Sequence, residues 1–232
     1  MIGRRVGLGL VATSLAGVLV LLAPGAASAG TLDQQQTDGS GMAVSVTSTH
    51  SAGQTFTAGL SGKLDQVDLW LSKQTNPNNV LNVEIRDVAG TANNSPPGTA
   101  VLASASVAAS VVPTSGAFVP IAFSVPASVA AGTRYAIVTW TAAVGGNYVW
   151  YLSTAHETYT GGVAEDTSSS PPTTPWSAFL SDFAFKTYVT VPVAGPTGRR
   201  AAALKKCKKK HKKNHSKKKF KKCKKTAKKL PV

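Results

Sequence analysis

Four residues near the C-terminus have the types that hold zinc. They are Cys207, His211, His215 and Cys223, spaced C-x3-H-x3-H-x7-C. Two thiolates and two imidazoles suit tetrahedral Zn²⁺, but the spacing lacks the close cysteine pair of structural zinc sites. The sixteen lysines around them would also repel a dication. Both cysteines of the chain lie here, so a Cys207–Cys223 disulfide is the simpler reading for an exported protein. A cross-link between chains is the other reading, and no metal site is expected. His50 and His156 are the only histidines before this region. His156 precedes Glu157 in a hydroxyl-rich stretch, but a triad needs nucleophile, base and orienter to converge in space. No G-x-S-x-G is present to mark a nucleophile. Asp65 and Asp68, like Glu84 and Asp87, lie three apart on extended chain and so point to opposite faces, which is wrong for a glycosidase pair. Glu165-Asp166 reads as a hydrated loop or a weak Ca²⁺ ligand pair, short of the six or more oxygens Ca²⁺ takes. No catalytic residue and no cofactor is expected.

Binding chemistry is better represented. Exposed aromatic rings on a sheet stack sugars, and the candidates are Trp70, Trp150, Tyr151, Trp176 and Tyr188. Trp70 and Tyr188 fall on the polar faces of their segments. Trp150 and Tyr151 alternate, so one of them must leave the core. Trp176 sits in a Pro-rich loop. The competing reading makes Trp140, Trp150 and Trp176 ordinary packing aromatics.

The strongest chemical signal is charge. The formal net charge is +15, but residues 199–232 alone carry sixteen Lys and two Arg with no acid. Residues 30–198 hold five basic residues against all ten acids, a balance of −5. A uniformly basic domain is thereby excluded. The polyanion-binding candidates run through Lys205, Lys206, Lys208, Lys209, Lys210, Lys212 and Lys213. They continue through Lys217, Lys218, Lys219, Lys221, Lys222, Lys224 and Lys225. Lysine is a hydrated point charge, suited to diffuse attraction rather than bidentate recognition. So charged a segment buries too little apolar surface to offset its ordering entropy, and the expectation is a disordered tail. Its partners would be an anionic cell-wall polymer or a membrane surface. Nucleic acid is a non-specific possibility, weakened because Phe220 is the only aromatic available for base stacking.

The elements that position these residues follow from pattern. Residues 1–29 read as a signal peptide, with Arg4 and Arg5, an apolar run over 6–23 and an A-x-A site at Ala27-Ser28-Ala29. The chain is therefore expected to be secreted and associated with the cell envelope. Residues 30–193 read as one β-sandwich domain, 194–198 as a linker, and 199–232 as the tail. Between 42 and 191, short runs rich in Val, Thr, Phe, Tyr and Trp are punctuated by Gly, Pro, Asn and Ser. Nine strands are predicted, near 42–48, 53–58, 63–73, 79–88, 100–107, 117–125, 133–142, 147–153 and 182–191. Alternation places Val67, Leu69 and Leu71 on one face, and likewise Leu81, Val83 and Ile85 against Asn82, Glu84 and Arg86. It groups Val119, Ile121, Phe123 and Val125, and also Phe183, Phe185, Val189 and Val191. One apolar and one polar face per strand predict an all-β, antiparallel, jelly-roll-like sandwich wetted on its outer faces.

Several stretches carry a resemblance: Gln54-Thr55-Phe56-Thr57, then Leu64-Asp65-Gln66-Val67-Asp68-Leu69-Trp70-Leu71, then Pro97-Gly98-Thr99, then Ala131-Gly132-Thr133-Arg134-Tyr135. Their order resembles the secreted bacterial "choice-of-anchor" β-sandwich modules over about residues 40–190. The resemblance implies a surface module and carries no catalytic set. Many such modules end in a sorting signal with an apolar helix, where this chain has poly-Lys. The reading is an exported, non-catalytic surface module whose tail adheres electrostatically to envelope polymers. A carbohydrate-binding module is the alternative, followed by extracellular nucleic-acid binding or a hydrolase centred on His156 and Glu157.

Overall fold

The computed structural model describes residues 30–92, 94–155, 159–173, 175–192 and 198–230. The expected signal at 1–29, the His156–Glu157 pair and residues 193–197 of the linker region lie outside the described residues.

Among the described residues, twelve strands form two antiparallel sheets. They are β1 (Thr31–Gln36), β2 (Ala43–Val46), β3 (Ser51–Thr57), β4 (Gly62–Thr75), β5 (Leu81–Val88), β6 (Pro97–Val107), β7 (Ala117–Val129), β8 (Arg134–Trp140), β9 (Gly146–Tyr151), β10 (Ala164–Thr167), β11 (Ser177–Ala178) and β12 (Phe185–Thr190). One sheet has the order β1-β12-β4-β9-β2, with β7 also paired to β4. The other runs β11-β10-β3-β8-β5-β6. The chain crosses between the sheets at most connections, so neighbours in sequence face each other across the core. The nine expected strands are all present. Three more, β1, β10 and β11, correct the count. β1 (TLDQQQ) and β10 (AEDT) lack apolar alternation, and β11 has two residues, so none carries a period-2 signal.

β4 is the spine of the first sheet. Its 14 residues pair with β12, β7 and β9 in turn. Val67, Leu69 and Leu71 are fully buried in the alternation expected, and Leu64, of opposite parity, joins them beyond the register shift at Gln66. Val119, Ile121 and Phe123 of β7 join them, but Val125 is 72% exposed. Gln66 opposes Ala122 while Leu64 opposes Ala127, so β7 carries extra residues that turn Val125 outward before Ala127 and Val129 return to the core. Pro120 and Pro126 are tolerated because β7 pairs only with β4, leaving its other edge free of ladder bonds. Val191 is likewise exposed, one residue past the end of β12.

The core between the sheets is aromatic. Trp150 and Phe183 stack at 4.4 Å, and Phe56 approaches Tyr135 and Phe185 at 6.0 and 6.3 Å. Gln54 is buried and serves as an internal joint. Its Oε1 accepts from the Phe183 N–H at 2.8 Å, and its Nε2 donates to Asp182 Oδ1 at 3.1 Å and to the Thr55 carbonyl at 3.0 Å. At the turn between β7 and β8, Gly132 takes a φ of +79°, a region that side chains disfavour. Tyr135 folds back there, and its hydroxyl oxygen accepts from the Ala130 N–H at 3.0 Å. The motifs around Gln54 and Gly132 thus have structural jobs.

The second sheet departs from the expected wetted outer face. Ala136, Val138, Glu84, Arg86 and Glu165 are all buried. Trp176 and Pro97 cover Gly53, where an added Cβ would lie 3.1 and 3.2 Å from their rings.

The C-terminal segment is a correction of the disordered-tail expectation. It forms two helices, α1 (Gly198–Asn214) and α2 (Lys217–Lys228), joined by a Cys207–Cys223 disulfide with Cα atoms 5.7 Å apart. Ala and Lys are good helix formers, and a covalent tie between the helices removes part of the ordering entropy that the composition argument counted in full. Ser216 caps α2 by accepting from the Lys219 N–H, and Arg200 Nε donates to the Leu230 carbonyl at 2.8 Å.

Candidate functional site

The helical hairpin collects the basic residues. Cys207 and Ala227 are buried in its seam, and the His211 ring stacks on Phe220 at 4.4 Å and 14°. Helical spacing then turns the remaining positions outward. Lys205, Lys206, Lys208, Lys209, Lys210 and Lys212 on α1 are exposed. So are Lys217, Lys218, Lys219, Lys221, Lys222, Lys224 and Lys225 on α2. Lys213 lies on α1, with its side chain outside the described residues. No Asp or Glu occurs anywhere in this segment. The field is therefore of one sign and partly ordered by the helices. His215 has a φ of +47° at the helix junction. The four zinc-type residues do not converge on a metal, because the two sulfurs are bonded to each other.

The aromatic candidates separate into three groups. Trp150 is fully buried, and its Nε1 donates to the Ala184 carbonyl at 2.9 Å, so it packs the core and has no face for a ligand. Trp176 covers the outer face of the other sheet. Trp70, Tyr151 and Tyr188 share the outer face of the first sheet, because β9 and β12 both pair with β4 along one edge. Phe118 of β7, a ring not anticipated from sequence, stands opposite Trp70 and meets it edge-on at 4.9 Å. Lys186 Nζ lies 4.1 Å from the Phe118 centroid. Asp68, one pleat along, accepts from Gln66 Nε2 at 2.7 Å and from the Tyr188 hydroxyl at 2.9 Å. Burial and that carboxylate push the Tyr188 hydroxyl up to about 12. Tyr151 exchanges a hydrogen bond with Ser72 at 2.9 Å. The result is a half-buried strip of rings interleaved with planar polar groups. Phe118 was legible only once its pairing with β4 was known.

All but one of the described carboxylates have structural partners. Asp33 accepts from the Gly59 N–H, Asp65 from the Gly30 N–H, and Asp87 from the Ala100 N–H. The Ser40 hydroxyl and N–H, together with Thr154, hold Asp38 well below the usual carboxylate range. Glu84 is locked between Arg86 Nε at 2.6 Å and Trp140 Nε1 at 2.8 Å. Glu165 and Asp166 are neighbours in β10, not a loop, and their side chains go to opposite faces of the strand. They therefore do not converge on a Ca²⁺. Asp166 Oδ2 meets His50 Nε2 at 2.9 Å, a pair that sequence distance hides. Glu165 is 2% exposed, its Oε2 has no hydrogen-bond partner, and burial pushes its carboxyl up to about 7.

Among the described residues no group of three or more His, Cys, Asp or Glu could hold a metal ion, and no helix is long and apolar enough to cross a membrane. The chain matches no family model and no curated protein sequence.

Proposed function

We propose that the chain is an exported, non-catalytic β-sandwich surface module, held at an anionic cell-envelope polymer or membrane surface by its C-terminal hairpin. The observation that carries this reading is the hairpin itself. It spreads basic side chains over two helices tied by a disulfide, with every described lysine exposed and no acid to neutralise them. Binding of that kind is governed by counterion release on phosphate polymers and weakens steeply with salt. The sandwich supports a scaffold role, because its carboxylates are spent on turns and pairs rather than gathered in a cleft. Its repeated sheet crossing is in keeping with a jelly-roll-like topology.

The test is a chain ending at Pro192. Retention of the full chain on cells at low salt, its release at high salt, and release of the truncated chain at both would support the proposal. Identical fractionation of the two chains would overturn it.

A second reading rests on the strip of Trp70, Phe118, Tyr151 and Tyr188, which suits a neutral saccharide bound across the strands. Affinity electrophoresis against neutral polysaccharides tests it. Retardation lost in Trp70→Ala and Tyr188→Ala supports it, and unretarded parent protein removes it.

A further inference from the structure

One acid of the sandwich is hidden rather than paired. Glu165 of β10 lies opposite Gly53 of β3 and Ala178 of β11, so its side chain shares the outer face of the second sheet with them. It is 2% exposed, and its Oε2 has no hydrogen-bond partner. A carboxyl so placed is tolerated while it keeps its proton and strongly disfavoured once it is charged. Burial alone pushes it up to about 7.

The cover over this face is thin. The Trp176 ring lies over Gly53, where an added Cβ would come within 3.1 Å of it, and Pro97 shares the position at 3.2 Å. Trp176 leads directly into β11, which has two residues and meets β10 through two pairs, Glu165–Ala178 and Asp166–Ser177. β11 is the edge of its sheet, so no further strand holds it from outside. The chain on either side is tied separately. Before it, Ser170 Oγ donates to the Thr141 carbonyl and Ser51 Oγ to the Ser169 carbonyl, both at 2.6 Å. After it, the Phe179 N–H donates to the Ala164 carbonyl at 2.8 Å.

We infer that Trp176 and β11 form a flap controlled by Glu165: the neutral carboxyl stays beneath it, and the ionised carboxylate displaces it to reach water. Two residue pairs are a small structure to give up, and the ties on both sides confine the opening to this stretch. Opening bares the outer face of Gly53 and the free edge of β10. The charged groups of the packed strands are engaged elsewhere. On β5, Glu84 and Arg86 bond to each other, and Asp87 accepts from the Ala100 N–H. Arg134 of β8 donates to the Ala92 carbonyl. Asp166 and His50 meet at 2.9 Å on the opposite face of β10. Gly53, Val138 and Ala178 beside Glu165 carry no charge.

The experiment uses the full chain labelled with 5-fluorotryptophan and followed by ¹⁹F NMR, with Trp176→Phe and Trp150→Phe assigning the two signals it reads. The ratio of open to closed flap is expected to rise about tenfold or more from pH 5 to pH 8, with Trp176 moving to a solvent-exposed shift. The interval from 4.5 to about 7, at ten per pH unit, caps the rise at about 300-fold. Trp150, fully buried in the core, should not move, which separates flap opening from loosening of the whole sandwich. Glu165→Gln should hold Trp176 at one shift across this range, and Glu165→Met, which also cannot ionise, replaces it if Gln does not fold. His50→Gln should keep the parent's response. A Trp176 signal that does not respond in the parent, or responds equally in the Glu165 variants, refutes the flap. So does a response lost only in His50→Gln, which would assign it to the His50–Asp166 pair, and so does a Trp150 signal that moves together with Trp176.

Discussion

Glu165→Gln offers a quantitative check on how the second sheet is built. Glu165 pairs across β10 with Gly53 on one side and Ala178 on the other, and neither supplies a side-chain donor. It is 2% exposed, with Oε2 unpartnered, and burial lifts its carboxyl from 4.5 to about 7. Below pH 4.5 the folded and unfolded chains both hold the proton and the carboxyl costs nothing. Between 4.5 and 7 the unfolded chain ionises while the folded chain stays neutral, so stability falls as pH rises. Above 7 both are ionised and the loss is complete. The interval from 4.5 to about 7, at ~1.36 kcal/mol per pH unit, amounts to about 3 kcal/mol. Gln keeps the shape and cannot ionise. Its own amide adds a cost that is the same at every pH, and all other titrating groups are common to both proteins. The stability difference between variant and parent is therefore expected to shift in the variant's favour by about 2–3 kcal/mol from pH 5 to pH 8. In a chain of this size that is a relative change in Tm of about 5–10 °C. Urea or calorimetric melts at the two pH values read it. A difference that does not change with pH would mean that Glu165 is hydrated or paired in solution, and would refute the reasoning.

Three further outcomes are expected. Trp150→Ala should cost about 3–5 kcal/mol in urea melts, because the ring is fully buried on Phe183. Trp70→Ala on the half-buried outer face should cost clearly less, and equal losses would contradict the placement of the two rings. Gln54→Ala should cost about 1–3 kcal/mol for the stranded Phe183 N–H alone, with no change in a Cys207–Cys223 hairpin signal. Reduction of the disulfide should lower helical circular dichroism, since closing a loop of this length is worth about 3 kcal/mol. The thermal melt of the sandwich should stay where it was, and persistence of the full helical signal under reductant would show that the tie is not what orders the segment.

The strand pattern was legible wherever one face of a strand is apolar and the other polar. Leu81, Val83 and Ile85 alternate cleanly, and the core uses them so. It was illegible where the outer face is itself covered. Glu84 and Arg86 look like solvated positions, yet they pair with each other beneath the sheet surface. Val125 shows a different limit. Its parity is right for the core, but an insertion in β7 relative to β4 resets the phase, and only the partner strand reveals that. The tail was misread for a third reason. Composition weighs burial against entropy residue by residue, whereas Cys207 and Cys223 act on the ensemble of the whole segment. On the outer face of the first sheet, Trp70 and Tyr188 were readable as outward-facing, but their meeting with Phe118 and Asp68 depends on register between distant strands.

The acids of the sandwich explain why its charge and that of the hairpin have different meanings. Asp33, Asp38, Asp65 and Asp87 each accept backbone N–H groups at loops or strand ends. Asp68, Glu84, Asp166 and Asp182 each accept from side chains on other strands or segments. These carboxylates are acceptors placed where a strand ladder or turn leaves a donor over, which is what a sandwich with many crossings requires. Their negative charge is incidental to that work and is dispersed around the fold. The lysines of the hairpin have the opposite character. Among the described ones only Lys224 has a ring neighbour, at 5.4 Å from Phe220, and none of their ammonium groups has a protein acceptor. The eighteen cations of residues 199–232 have no Asp or Glu among them in that segment, and it is this asymmetry on which the proposed anchoring rests. Among the described acids the one outside this rule, Glu165, is buried rather than presented, so it bears on the stability of the sandwich.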